Sequence, residues 1–152
     1  MSPRTRTIFD LRDALLQRYP EVIYSAPPLT NIEYHCVTRE WVDNVFAPYF
    51  RDLLFALNKA QWRKRGNQCE HFAIRAVLAA VDCFDASAQN RSNITAESIS
   101  VAWIAYAQDT GVVHAIVSWF IDGQWTEWEP QNQQWLTLSA AELKTVHHPF
   151  LL

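Results

Sequence analysis

Cys69, His114 and Glu129 are the residues of this sequence whose types and spacing could do chemistry together. A thiol nucleophile needs a base, a group that orients the base, and donors for a developing oxyanion. Cys69 follows the small polar lead-in Gly66-Asn67-Gln68 and opens an apolar helical pattern reaching about Val81. In the first turn of a helix, unpaired backbone N–H groups and the positive dipole end favour thiolate over thiol. Taken alone, Cys69 reads equally well as a small buried hydrophobe, as most free cysteines are.

His114 and Glu129 emerge from strand register. Asp122-Gly123 is a strong two-residue hairpin signal between extended patterns at 112–121 and 124–129. With that turn, Ile121 faces Gln124, Ile116 faces Glu129, and His114 faces Gln131. Alternation then puts His114, Ile116, Ser118, Trp125, Glu127, Glu129 and Gln131 on one face. His114 and Glu129 become diagonal neighbours, near enough for a carboxylate to meet an imidazole. Asp122 drops out, because the strand carries it roughly 26 Å from His114 at ~3.3 Å per residue. Glu127 shares the face but sits one pair further along, beside Ser118. In the expected chemistry His114 takes the Cys69 proton and later protonates a leaving group, while Glu129 fixes the imidazole tautomer. The backbone N–H of Cys69 and the Gln68 side chain are candidate oxyanion donors, with Gln131 beside the site.

These residues need elements to position them. Thr7 caps a helix with Asp10 three positions on, and Ile8, Leu11, Leu15, Leu16 and Tyr19 form its apolar stripe before Pro20. Residues 22–24 and 32–37 read as extended. Thr38 caps a second helix bearing Trp41, Val42, Val45 and Phe46, which Pro48 kinks or restarts. A third apolar pattern runs from Tyr49 to about Trp62, with Arg63-Lys64-Arg65 suited to its C-terminal end and Gly66 to its C′ position. After a polar stretch at 82–97 the period changes. Strands are expected at 99–106, 112–121 and 124–129, and a short one at 135–138. Ser139-Ala140-Ala141-Glu142 matches a capping box for a short last helix, and His147-His148 reads as a solvated helix end. Helices first and antiparallel strands second is α+β: N-terminal helices packed on an antiparallel sheet of three to four or more strands, one domain over 1–152.

Composition narrows the function classes. The chain has 152 residues, 49% hydrophobic, with seven tryptophans, so it can bury a core unaided. A net charge of -3 argues against a dedicated nucleic-acid binder. Cys36, Cys69 and Cys83 lack disulfide-framework spacing, which suits free thiols. No apolar run approaches the ~20 residues of a spanning helix. The charged N-terminus does not read as a secretion signal, so a cytoplasmic or virion-associated location is expected. Cys69, His71, His114, Glu70, Glu129 and His35-Cys36 are ligand types without zinc spacing, so neither metal nor cofactor is expected. Of Trp103, Trp119, Trp125, Trp128 and Trp135, most belong in a core, and an exposed one could bind a sugar or a peptide.

The motifs resemble a known family. Cys69-Glu70-His71-Phe72-Ala73 is similar to the Cys-x-x-Phe-Ala helix start of transglutaminase-like cysteine proteases. Val113-His114-Ala115, Asp122-Gly123-Gln124-Trp125 and Glu129-Pro130-Gln131 resemble their His-Ala strand, Gly-x-Trp turn and terminal acid-Pro motif. Phage and bacterial members are the most similar, over about residues 35–135. The resemblance implies a papain-like, transglutaminase-like core and a cysteine peptidase, amidase or acyltransferase acting on a peptide, amide or protein. Gln68 and Glu70 stand where members often carry Asp, and Glu129 replaces the commoner Asp. Papain-like amidases of the CHAP type are a lesser resemblance, with Val113 where a Gly commonly precedes the histidine. The reading of a different class is a papain-like module with a vestigial site that binds a protein, peptide or glycan.

Overall fold

The computed structural model describes residues 5–21, 33–63, 68–88 and 98–151. Thr5–Thr7 forms β1, and α1 follows over Ile8–Arg18. Its capping box is complete: the Asp10 N–H donates to Thr7 Oγ1 at 3.3 Å, and the Thr7 N–H donates to an Asp10 carboxylate oxygen at 3.0 Å. Ile8, Leu11, Leu15 and Tyr19 are buried as the stripe requires, while Leu16 points toward solvent.

After β2 (Glu33–His35), Thr38 caps α2 (Arg39–Trp41) by accepting the Trp41 N–H at 3.1 Å. A π-helical turn over Val42–Phe46 then leads without a break into α3, Ala47–Ala56. Pro48 has no N–H to give, and the wider turn before it absorbs that missing donor, so the chain neither kinks sharply nor restarts. The end of α3 differs from expectation. Asn58 takes a left-handed φ of 54°, the Asn58 N–H reaches the Phe55 carbonyl, and the Lys59 N–H reaches the Leu54 carbonyl at 2.7 Å. This Schellman closure uses Asn58 where a later glycine was expected. Trp62 and Arg63 therefore lie beyond the helix, and Lys64 to Gly66 fall outside the described residues, as do 22–24 and 89–97.

The helix opened by Cys69, α4, is longer than expected, spanning Cys69–Ala88. Its buried stripe continues through Cys83 and Phe84, and the polar residues Asp82 and Asp85 simply form its outer face.

β3 (Ser98–Ile99) joins β1 and β2 in a small sheet ordered β1-β2-β3. The main sheet is antiparallel and ordered β7-β6-β5-β4-β8. Its strands are β4 (Val101–Ala107), β5 (Val113–Ile121), β6 (Gln124–Glu129), β7 (Gln134–Trp135) and β8 (His147–Leu151). A short helix, α5 (Ala140–Leu143), carries the expected Ser139 capping box. His147 and His148 belong to an edge strand rather than a helix end, and an edge is where Pro149 is tolerated. The β5–β6 register is the deduced one, from Ile121 opposite Gln124 back to Val117 opposite Trp128. Positive φ at Asp122 (51°) and Gly123 (87°) marks the type I′ turn that sets it.

Alternation gives the main sheet two buried faces. Ala115, Val117, Trp119 and Trp128 pack under α3 and α4 with Phe46, Phe50, Phe72 and Ala76. Ile104, Tyr106, Ile116, Phe120 and Trp125 pack with Leu11, Leu15 and Tyr19 of the α1 region. On this second face Arg18 grips Glu127 through two hydrogen bonds, at 3.0 and 2.8 Å. Tyr19 Oη donates to Glu127 at 2.7 Å and meets Ser118 Oγ at 2.9 Å. Burial, then the Glu127 charge, pushes the Tyr19 phenol well above its ordinary value.

Candidate functional site

The start of α4 and the start of β5 meet at an open cleft of about 540 Å³. It is lined by Gln68, Cys69 and Glu70, by Gln108, Val112, Val113 and His114, and by Trp62 and Gln131. Four of the five residues singled out from sequence line it, and the fifth, Glu129, holds His114 from behind. His114 Nε2 hydrogen-bonds one Glu129 carboxylate oxygen, and the other accepts the Gln131 N–H at 2.9 Å. The ladder between β5 and β6 stops at Val117 and Trp128, so Glu129 can lean from the end of β6 to the imidazole. Tyr106, directly opposite His114 on β4, meets its ring edge-on at 5.9 Å. In the neutral tautomer that donates Nε2–H to Glu129, Nδ1 is the ring's acceptor.

The thiol is arranged differently from the expected ion pair. Helix α4 covers the odd-numbered face of β5, where Ala115 and Val117 lie, whereas His114 belongs by alternation to the other face. Cys69 Sγ accordingly receives the Ala115 backbone N–H and donates its own proton to Glu70, at 3.5 Å. Among the described residues no hydrogen bond joins Cys69 to His114. Burial raises the Cys69 pKa above its ordinary value, the Ala115 N–H is the next-largest influence and pulls it back, and the Glu70 carboxylate raises it again. Glu70 therefore stabilises the thiol, not the thiolate. Gln68 sits at the helix start, its backbone N–H donating to His71 Nδ1 at 3.3 Å and its carbonyl accepting the His71 and Phe72 N–H groups.

The residues that sequence reasoning missed are Trp62, Gln108, Val112 and Val113. Trp62 was placed at the end of α3, but that helix stops at Ala56 and leaves its indole 54% exposed on the cleft. The tryptophans expected to supply an exposed ring do not line it; Trp119, Trp125 and Trp128 are buried in the two cores. Proximity in sequence was the available signal, since Val112 and Val113 immediately precede His114. No group of His, Cys, Asp and Glu among the described residues is arranged to hold a metal, and none of their helices is long and apolar enough to cross a membrane.

No family model and no curated protein matches the chain. Solved structures do. One is Polyporus squamosus lectin bound to the human-type influenza-binding epitope Neu5Aca2-6Galb1-4GlcNAc, with a TM-score of 0.64 at 17% identity, covering 88% of this chain and 45% of that one. Another is a PSL1a–E64 complex, with a TM-score of 0.64 at 17% identity, covering 95% of this chain and 51% of that one. The likeness shows a shared α+β fold, and this chain spans about half the length of those it matches.

These findings correct the expectation of a thiol acyl-transfer enzyme. One of these likenesses is to a glycan-bound lectin, and they do not support the terms cysteine protease and hydrolase. In the site itself Cys69, His114 and Glu129 share one neighbourhood, Cys69 Sγ hydrogen-bonds Glu70, and among the described residues no hydrogen bond joins it to His114.

Proposed function

We propose that the chain is a ligand-binding module that takes a glycan in the cleft between α4 and β5. The carrying observation is the lining itself, in which an exposed indole stands among amide, carboxylate and imidazole groups. Sugars offer two surfaces, a C–H face that packs on an aromatic ring and hydroxyls that need paired donors and acceptors. Trp62 suits the first; Gln68, Gln108, Gln131 and the Glu70 carboxylate suit the second. The volume falls within the roughly 300–1,000 Å³ of small-ligand clefts. Likeness to a lectin structure bound to a glycan supports the same reading. The placing of Cys69 at a helix start, His114 on a strand and Glu129 on the next supports a papain-like, transglutaminase-like core whose reactive position serves binding. A panel of immobilised glycans tests this. Binding is expected for the wild type and should fall at least tenfold in Trp62→Ala, about the worth of 1.4 kcal/mol. Trp62→Ala should fold normally, because its side chain is surface-exposed. Silence across the panel, or equal binding by Trp62→Ala, would remove the proposal.

A further inference from the structure

The cleft lining combines apolar and carboxylate groups, and the combination narrows the sugar. Among the lining residues Trp62, Val112 and Val113 are 54%, 59% and 57% exposed, apolar groups left open to water. Exposed apolar groups that converge on a cleft gain by meeting an apolar part of a ligand. Most of a plain hexose is hydroxyl, whereas an N-acetylated hexosamine adds a methyl group for such groups to cover. The Glu70 carboxylate also lines the cleft, and the Glu129 carboxylate stands behind His114. A ligand carboxylate placed beside Glu70 would meet like charge. In the tautomer that donates Nε2–H to Glu129, His114 Nδ1 is an acceptor that matches an acetamide N–H or a hydroxyl.

From this juxtaposition of apolar groups, carboxylates and imidazole acceptor, we infer that the cleft selects neutral N-acetylhexosamine residues over sialylated and unacetylated sugars. The inference rests on the glycan-binding reading above and specifies its ligand.

Titration calorimetry of the whole chain with three probes tests it: N,N′-diacetylchitobiose, cellobiose and 6′-sialyllactose. Diacetylchitobiose should bind about tenfold more tightly than cellobiose, the lower end of what one well-placed apolar group confers. Sialyllactose should bind more weakly still. Val113→Ser should narrow the ratio of diacetylchitobiose to cellobiose, and Glu70→Gln should strengthen sialyllactose binding alone. Sialyllactose binding as tightly as diacetylchitobiose, or equal binding of the two neutral disaccharides, would overturn the inference while the glycan reading stood. Heat from none of the three overturns the inference, and a silent glycan panel in addition overturns the reading beneath it.

Discussion

Glu127 and Glu129 project from the same face of β6, two positions apart, and their partners divide them. Glu127 is 1% exposed and saturated by Arg18, Tyr19 and, through Tyr19, Ser118. Glu129 is also buried, yet its contacts run outward, one oxygen to the Gln131 backbone and the other to an imidazole that borders open space. The difference lies in what faces each residue across the sheet. Opposite Glu127 is Ser118, in the middle of β5, under the α1 region. Beyond Trp128 the ladder ends, and Glu129 meets the first turn-ward residues of β5 instead. One carboxylate fastens the fold; its neighbour positions a side chain of the cleft.

Removing Glu127 should have the largest effect on stability. Glu127→Ala breaks a buried charge pair and leaves the Tyr19 hydroxyl only its Ser118 partner, with an expected loss of about 3 kcal/mol in urea unfolding. The value sits at the low end for buried pairs, because Arg18 is partly exposed and can turn to water. A loss under about 1 kcal/mol would class the Arg18–Glu127 pair with surface salt bridges and erase the contrast. Glu129→Gln should cost less stability, about 1.5–2 kcal/mol, the low end for a hydrogen bond to a charged group. Its larger consequence should be in the cleft, where the His114 ring loses its fixed tautomer. Glycan affinity should fall about tenfold, whereas destabilisation at unchanged affinity would make Glu129 a second structural carboxylate.

Much of this contrast was legible in the sequence, because Asp122-Gly123 fixes a register that places both glutamates, His114 and Ser118 on one face. What register alone could not convey was the helix above it. Parity sets His114 and Ala115 on opposite faces, and since α4 packs over Ala115, Cys69 approaches the backbone rather than the imidazole. The Arg18–Glu127 clamp was hidden for a different reason: it joins residues distant in the chain, and no local pattern marks a basic residue at the end of α1 as buried against a sheet. Element ends were the least legible. Asn58 ended α3 early by a left-handed turn usually read from glycine, and the outward Asp82 and Asp85 disguised the last turns of α4. The edge strand β8 was hidden by Pro149, a residue that argues against a strand except at an edge.

The smallest expected effect is at the thiol. Cys69→Ser should leave glycan affinity within about twofold, because the thiol is bonded to Glu70 and the Ala115 N–H. The direction of its pKa shift sets the pH dependence of alkylation. Raised above its ordinary value of 9.0, Cys69 holds its proton through neutral pH, and iodoacetamide labelling should accelerate only on the alkaline side of that value. Glu70→Gln removes a carboxylate that opposes the thiolate and should shift that rise to lower pH. Rapid labelling near pH 6, abolished in His114→Ala, would instead mean an activated thiol.

The most direct measurement is an amide and indole NMR titration of the whole chain with N,N′-diacetylchitobiose. Saturable shifts are expected at the Trp62 indole and at the backbone of Gln68, Gln108, Val113, His114 and Gln131, with the Glu127 region unmoved. No shifts, or shifts gathered away from the cleft, would contradict glycan binding between α4 and β5.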